Sequence, residues 1–417
     1  MAKRPPGTSP LRHRQASDPA DSRRPQPHRV VVNDYAGHAF PFELSEALAD
    51  KHVEVAHLYC STNVTPRGSF GAREDGPDVV GISTGGDFEK YHISKRLLAE
   101  MRYGVLSCVQ LARRRPHVAL NAQVPLVSLA LITIAARVLR VRSVLWLQDL
   151  QSGLVALSVG ERHVAARVAR SLERWCIRRA DRVVTISSDF EALVRSIDPN
   201  QSVETIPNWA PIAELPLRSK NTSWSRDHGL NDRFVFLYSG TLGIKHRPEA
   251  LLQLSRSMAD VDTEALVVVV SESVGATWLE SQRTADDPLR NLVVLPFQPF
   301  ERLADVLGSA DVMVVLLDSD AGQLCVPSKV LSYLCAARAV LGLMPGSNAA
   351  ARLITDEAKA GLVFEDLDGF VEGALQLLRN HSLRSTLGER GRAYAEASFD
   401  IDAISLRFLD VLFGDGG

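Results

Sequence analysis

Short β-branched, apolar runs recur along the chain, each followed by a stretch with helical spacing. In the first half the runs are Arg29–Asn33, Val53–Tyr59, Val79–Ser83, Val118–Asn121, Val144–Gln148, Val183–Ser187 and Val203–Ile206. Most are apolar throughout rather than alternating, the mark of strands covered on both faces in a parallel sheet. Helical periodicity predicts helices over Pro41–Ala49, Lys95–Arg113, Leu126–Leu139 and Arg162–Ala180. A stretch with Pro207, Pro211, Pro216 and the polar cluster Ser219–Ser225 then reads as a linker, 207–230, with room for one short helix. After it the pattern restarts, with strands at Phe234–Tyr238, Leu266–Val270, Leu292–Pro296, Val312–Leu317, Val340–Leu343 and Leu362–Phe364. Helices are expected at Pro248–Ala259, Glu301–Gly308, Ser328–Ala337, Asn348–Thr355, Asp368–Arg379 and Ile401–Phe413. Two blocks of alternating strand and helix predict an α/β protein of two doubly wound, Rossmann-like parallel-sheet domains, 29–206 and 231–396, facing an interdomain cleft. A last helix, about 397–417, is expected to pack back on the first domain.

Length agrees, since 417 residues exceed one core. Residues 1–28 are rich in Pro, Arg, Ser and Asp and lack an apolar core, so they read as a disordered tail and not as a signal peptide. Val118–Ala136 holds 19 uncharged residues, close to a membrane span, but Pro125 divides it into a strand and a helix. Five scattered cysteines without a C-x-x-C pair favour a reducing compartment and no structural zinc.

Charge changes the picture more. The net charge is only -2, yet Phe88–Arg182 carries 17 Lys and Arg against 6 Asp and Glu, a local +11. An overall polybasic nucleic-acid binder is excluded, and no nucleic-acid recognition motif is present. Two basic helices, 95–115 and 162–179, carry most of the surplus. The first sets Leu98, Met101 and Val105 on its apolar side, and the second aligns Val164, Val168, Leu172 and Trp175 on one face. A one-signed surplus of this kind suits an anionic membrane surface.

Two segments carry anion-binding chemistry. The first strand of the second block runs into Ser239-Gly240-Thr241-Leu242-Gly243-Ile244-Lys245-His246-Arg247, then Pro248 opens a helix. Glycines allow close backbone approach, a helix start favours an anion, and Lys245 and Arg247 supply cations. Val326-Pro327-Ser328-Lys329 starts a second helix in the same block. Asp318-Ser319-Asp320 has the D-x-D form of a divalent-metal site, but two lysines would compensate a diphosphate without metal, and no metal or cofactor is expected.

Five segments in order then bring a resemblance. They are Asp34-Tyr35-Ala36-Gly37-His38, Trp146-Leu147-Gln148-Asp149-Leu150, Ile206-Pro207-Asn208-Trp209, Tyr238 through Lys245, and Val326 through Leu334. The chain resembles the family-4 retaining glycosyltransferases of the GT-B fold, nearest the bacterial exopolysaccharide and O-antigen (colanic-acid-type) subgroup. The resemblance implies a metal-independent enzyme of cell-surface polysaccharide synthesis that transfers a sugar, with retention, from a nucleotide-diphosphate-sugar donor to a saccharide acceptor, often lipid-linked. It implies a cytoplasmic location, peripheral on the inner face of the plasma membrane. It places Ser239, Gly240, Thr241, Gly243, Lys245, Arg247, Ser328, Lys329 and Asn348 around the donor, and Gly37, His38, Gln148 and Asp149 on the acceptor side. Lys245, Lys329, Asp149 and His38 are the catalytic candidates, although Asp149 equally fits an N-cap. The sequence departs from the family pattern at Leu324 and Ser332, where many members carry Glu, at Ala336-Ala337-Arg338-Ala339, where Ala-Gly-x-Pro is usual, and at Ser271-Glu272-Ser273, usually glycine-rich. A GT-B nucleotide-sugar epimerase, or a non-catalytic GT-B partner subunit, are the alternatives.

Overall fold

A computed structural model describes residues 27–62, 73, 75–85, 93–243, 246–318 and 329–414. The tail read as disordered therefore lies outside the described residues, apart from positions 27 and 28, as do Lys245, Ser328, Leu324, Ser319 and Asp320.

The first domain runs β1 (Arg29–Asp34), α1 (Ala39–Asp50), β2 (Glu54–Cys60), β3 (Asp78–Ile82), α2 (Ile93–Arg114), β4 (Val118–Ala122), α3 (Leu126–Leu139) and β5 (Arg142–Leu147). It continues with α4 (Gln151–Val159), α5 (Val164–Arg179), β6 (Arg182–Thr185), α6 (Ser188–Ile197) and β7 (Val203–Thr205). A short α7 (Ser223–Asp227) lies in the connection. The second domain holds β8 (Phe234–Ser239), α8 (Glu249–Val261), β9 (Ala265–Val270), α9 (Val274–Ser281), β10 (Leu292–Leu295), α10 (Leu303–Gly308), β11 (Val312–Leu316) and α11 (Lys329–Cys335). It ends with β12 (Ala339–Leu343), α12 (Ala349–Arg352), β13 (Gly361–Phe364), α13 (Leu367–Arg379), α14 (His381–Ser398) and α15 (Ile401–Phe413).

All strand pairs are parallel, in the orders β3-β2-β1-β4-β5-β6-β7 and β10-β9-β8-β11-β12-β13. The order reverses between β1 and β4 in one sheet and between β8 and β11 in the other. Chain segments leaving β1 and β8 thus emerge at the switch points, where open α/β sheets hold ligands. The uncharged stretch 118–136 is buried β4 followed by α3, and among the described residues no helix is long and apolar enough to cross a membrane.

The connection 207–230 is packed along its length, with Trp209, Ala210, Leu215, Trp224 and Leu230 buried. Trp209 stacks on Trp146 of β5, with centroids 5.7 Å apart, and Phe40 and Phe408 meet both rings edge-on. Phe408 belongs to α15, which packs against α1, while Arg182 donates to the α15 carbonyls of Asp410 and Val411. Aromatic pairs of this kind contribute about 1 kcal/mol each beyond their buried area.

The apolar side read for helix 95–115 is not the side that packs on the core. The buried stripe of α2 is Glu100, Tyr103, Gly104, Ser107 and Leu111, whereas Leu98, Met101 and Val105 are 49%, 44% and 52% exposed. The reason is steric. A Cβ on Gly104 would stand 2.8 Å from the Ser128 Cα, so α3 sits where only small residues let it approach. Helix α5 likewise buries Ala166, Glu173, Cys176 and Ile177 and leaves Val164 and Val168 exposed.

The Ala336–Ala339 departure has a structural counterpart. Ala337 takes φ +54, the left-handed region a glycine would adopt without cost. Its neighbour Arg338 donates to the carbonyls of Ala310, Gly308 and Arg218 at 2.7–3.0 Å, closing the ends of surrounding segments.

Candidate functional site

On the second domain the site grows from the end of β8. Gly240 has φ +131, and a Cβ there would lie 3.4 Å from Lys329 Cε and 3.6 Å from its Nζ. Lys329 opens α11. Its ammonium donates to the Tyr238 hydroxyl at 2.5 Å and to the Thr241 carbonyl at 3.4 Å, and lies 3.9 Å from the centroid of the Tyr238 ring. Tyr333, one turn further along α11, is buried and clamps Ser239, accepting its N–H at 2.9 Å and donating to its carbonyl at 3.0 Å. Two segments 90 residues apart in sequence thus meet around one cation.

Four amides of this turn, that of Ser239 included, have protein acceptors. Gly240 N–H donates to the Val270 carbonyl, Leu242 N–H to Ser273 Oγ and Gly243 N–H to His246 Nδ1, at 2.7–3.0 Å. The Ser273 hydroxyl donates back to the Leu242 carbonyl, which also accepts the Gly275 N–H. Here the serines at the usually glycine-rich turn brace the loop. Anion chemistry at this loop therefore rests on side-chain charge more than on those four amides. Burial, then the Lys329 charge, lower the His246 pKa, so this imidazole is a neutral acceptor for Gly243. Arg247, at φ +48, pairs with Glu249 at 3.5 Å, and Asn348 caps α12 by accepting the Ala350 N–H at 2.8 Å.

On the first domain the candidate loops follow β1 and β5. Gly37 takes φ +72 in a turn closed by its N–H to the Asp34 carbonyl. His38 is the N-cap residue of α1, and its backbone N–H donates to buried Asp34 Oδ2 at 2.6 Å. Gln148 is buried in a reciprocal amide pair with Asn208, at 2.6 and 3.1 Å, so it ties the β5 loop to the connection. Asp149 does not cap α4. Leu150 holds that position without a side-chain bond, and buried Glu173 of α5 accepts the N–H groups of Gln151 and Ser152 and the Ser152 hydroxyl. Gln151 in turn binds Leu126 N–H and the Val124 carbonyl. This scaffold fixes the segment carrying Asp149.

Burial pushes the Asp149 carboxyl up to about 6, against the lowering influence of His38. A raised acid pKa means that ionisation opposes folding. The cost is present above about pH 6 and disappears toward the unfolded value near 4. Asp149→Asn should therefore raise Tm by a few degrees at pH 7.5, from a cost of up to about 3 kcal/mol. The gain should shrink as pH falls from 6 to 4. Calorimetry across that range checks it, and a pH-independent difference would contradict the assignment.

Sequence reasoning missed Tyr238, Tyr333, Glu173 and Asp34 as site-shaping residues. Among the described residues no three His, Cys, Asp or Glu side chains are grouped to hold a metal ion.

Residues 17–209 match the glycosyl transferase 4-like domain. The chain is 25% identical over 294 residues to the colanic acid biosynthesis glycosyl transferase WcaI of Escherichia coli (strain K12), covering 66% of this chain and 68% of that protein. Among solved structures, sucrose-phosphate synthase from Thermosynechococcus elongatus superposes with a TM-score of 0.67 at 16% identity, over 92% of this chain and 98% of that one. Anabaena Alr3699/HepE in complex with UDP-glucose gives 0.67 at 13% identity, over 92% and 99%. The chain thus has two parallel-sheet domains of GT-B architecture, and its residues 17–209 match a glycosyl transferase 4-like domain.

Proposed function

We propose that the protein transfers a sugar, with retention and without a metal, from a nucleotide-diphosphate sugar to a saccharide acceptor carried on a lipid in cell-surface polysaccharide synthesis. The observation that carries this reading is the convergence of Lys329 on the Ser239–Gly243 turn at one switch point, with Asp149 and the Gly37–His38 turn leaving the other sheet. The leaving diphosphate gains charge as the glycosidic bond breaks, and a fixed ammonium stabilises it there. The acceptor hydroxyl would meet Asp149 and His38. The UDP-glucose complex of the Anabaena structure and the polysaccharide role in the WcaI name support a nucleotide-sugar donor and such an acceptor. A thermal-shift panel of UDP-, GDP- and dTDP-sugars, followed by transfer to a polyprenyl-diphosphate saccharide, tests it. Absence of any nucleotide-dependent shift would favour a non-catalytic subunit, and an altered sugar released without acceptor would favour an epimerase.

The exposed stripe of α2 supports the lipid-linked acceptor. Leu98, Met101 and Val105 of α2, and Val164 and Val168 of α5, stand in solvent, and Arg113, Arg115, Arg167, Arg174 and Arg178 of the same two segments are exposed as well. A helix with an unburied apolar stripe and flanking arginines suits the boundary of an anionic leaflet, where each Lys or Arg contributes about 1 kcal/mol. Flotation should recover the protein with phosphatidylglycerol vesicles and not with phosphatidylcholine alone. Recovery should fall with salt, and Met101→Asp with Val105→Asp should abolish it. Equal, salt-insensitive recovery on both lipids would remove membrane docking and its location at the inner membrane face.

A further inference from the structure

We propose that Asp34 is a positioning residue that sets the tautomer and orientation of His38, and through it the acceptor hydroxyl. The inference rests on the glycosyl-transfer reading above and adds to it a residue that reading leaves idle.

Asp34 closes β1 and is 0% exposed. A carboxylate held out of water costs several kcal/mol unless it is fully partnered. One oxygen, Oδ2, accepts the His38 backbone N–H at 2.6 Å. The other, Oδ1, is buried and has no hydrogen-bond partner among the described residues. His38 Nδ1 is buried and unpartnered in the same way, and the two atoms lie 3.7 Å apart. Each group lacks what the other supplies. A small rotation of the imidazole places an Nδ1–H on Oδ1, and that bond fixes the proton on Nδ1 and leaves Nε2 an acceptor.

The surroundings agree. The His38 side chain is 38% exposed although its Nδ1 is covered, so the ring presents its remaining edge outward. Gly37, in the left-handed region, makes the turn that folds His38 back over Asp34. Phe40 lies 5.8 Å from the imidazole and belongs to the Trp146–Trp209 cluster, which limits ring motion. The charged group that acts on His38 from the loop after β5 is Asp149, while Glu43 on α1 is occupied by the Trp209 indole N–H at 2.6 Å. Asp34, His38 and Asp149 thus form a relay of orientation. Asp34 holds the ring, Nε2 accepts from the acceptor hydroxyl, and no proton leaves the pair.

Nitrogen-15 NMR of the full chain tests this directly. Wild-type His38 should show the Nδ1–H tautomer, and Asp34→Asn should shift it toward Nε2–H, because an amide turned to donate leaves Nδ1 the acceptor. With the same variant, kcat should fall about 100-fold while the donor KM stays within twofold. His38→Gln keeps the buried carboxylate and serves where Asp34→Asn fails to fold; it should lower kcat similarly, with the donor KM again unchanged. An unchanged tautomer in Asp34→Asn, or wild-type kcat in His38→Gln, would overturn the proposal. If wild type transfers no sugar to any acceptor, the glycosyl-transfer reading fails while the tautomer measurement still decides the pairing.

Discussion

Lys329→Ala should lower kcat/KM for sugar transfer at least 100-fold while leaving the fold intact. The ammonium sits at the mouth of the β8 turn, touching Tyr238 Oη and the Thr241 carbonyl, and lies beside a glycine whose missing Cβ keeps the approach open. Four amides of the turn already have protein acceptors, so they do not replace the lost charge. Removing one preorganised donor from a developing oxyanion typically costs 10²–10³-fold, about 3–4 kcal/mol. Stability should change little. The side chain contacts polar atoms at the protein surface, and its first partner, Tyr238, keeps its own bond to Thr241 at 2.7 Å. Lys329→Arg should recover part of the rate, since charge returns with a different reach. Steady-state kinetics with the donor that gives the largest thermal shift decides the matter. Lys329→Ala turnover within twofold of wild type would remove this residue from the donor site.

Much of this was written in the residue pattern, and the exceptions share a cause. Every strand of both sheets is legible, most of them because a run that is apolar throughout has few other solutions in an α/β chain. Lys329 is legible as well, from its place after Pro327 at a helix start. Tyr333 could have been found, since it stands four residues after Lys329 and so shares its helix face. Tyr238 hides in an apolar strand, and Glu173 hides among the arginines of α5, where a lone acid reads as a solvated charge. Helix α4 was missed for the same reason. It has an uncharged sequence, Gly153 in its first turn and no local cap, and its N–H groups are satisfied by Glu173 from 21 and 22 residues away. Helix α14 was missed because Gly388 and Gly391 weaken its local propensity. In space these glycines admit Ala337 and Leu334, since a Cβ on Gly388 would fall 2.4 Å from the Ala337 carbonyl. Helix α2 carries two apolar stripes, and hydropathy alone does not choose between them. The choice is made by Gly104 and Ser107, small residues that signal a close helix neighbour. Residues whose meaning depends on a distant partner are those that local pattern does not reach.

The same logic makes Gly275→Ala the most disruptive small substitution near the site. Gly275 does not occupy the left-handed region, so the added methyl meets no backbone penalty, only a lack of room. Its Cβ would fall 2.4 Å from the Leu242 carbonyl oxygen and 2.7 Å from Leu242 Cγ. Leu242 is fully buried, and its peptide groups make three bonds to Ser273 and Gly275 at 2.7–2.9 Å. The methyl must displace that backbone, and all three bonds with it. Overpacking of this kind costs about 1–3 kcal/mol. Because Leu242 lies between Thr241 and Gly243, the displacement carries the β8 turn away from Lys329. Tm should drop by several degrees, and donor affinity should fall tenfold or more even at temperatures where the variant is folded. Trimming the side chain with Leu242→Ala should not restore binding, because the closer clash is with the backbone oxygen. Gly229→Ala is the useful comparison: it sits at φ +66 with open space for a Cβ, so it should cost stability without touching the donor constant. Isothermal titration of the two variants with the same nucleotide sugar separates the cases. Equal donor affinities would mean that the turn does not hold the donor, whatever the stability change.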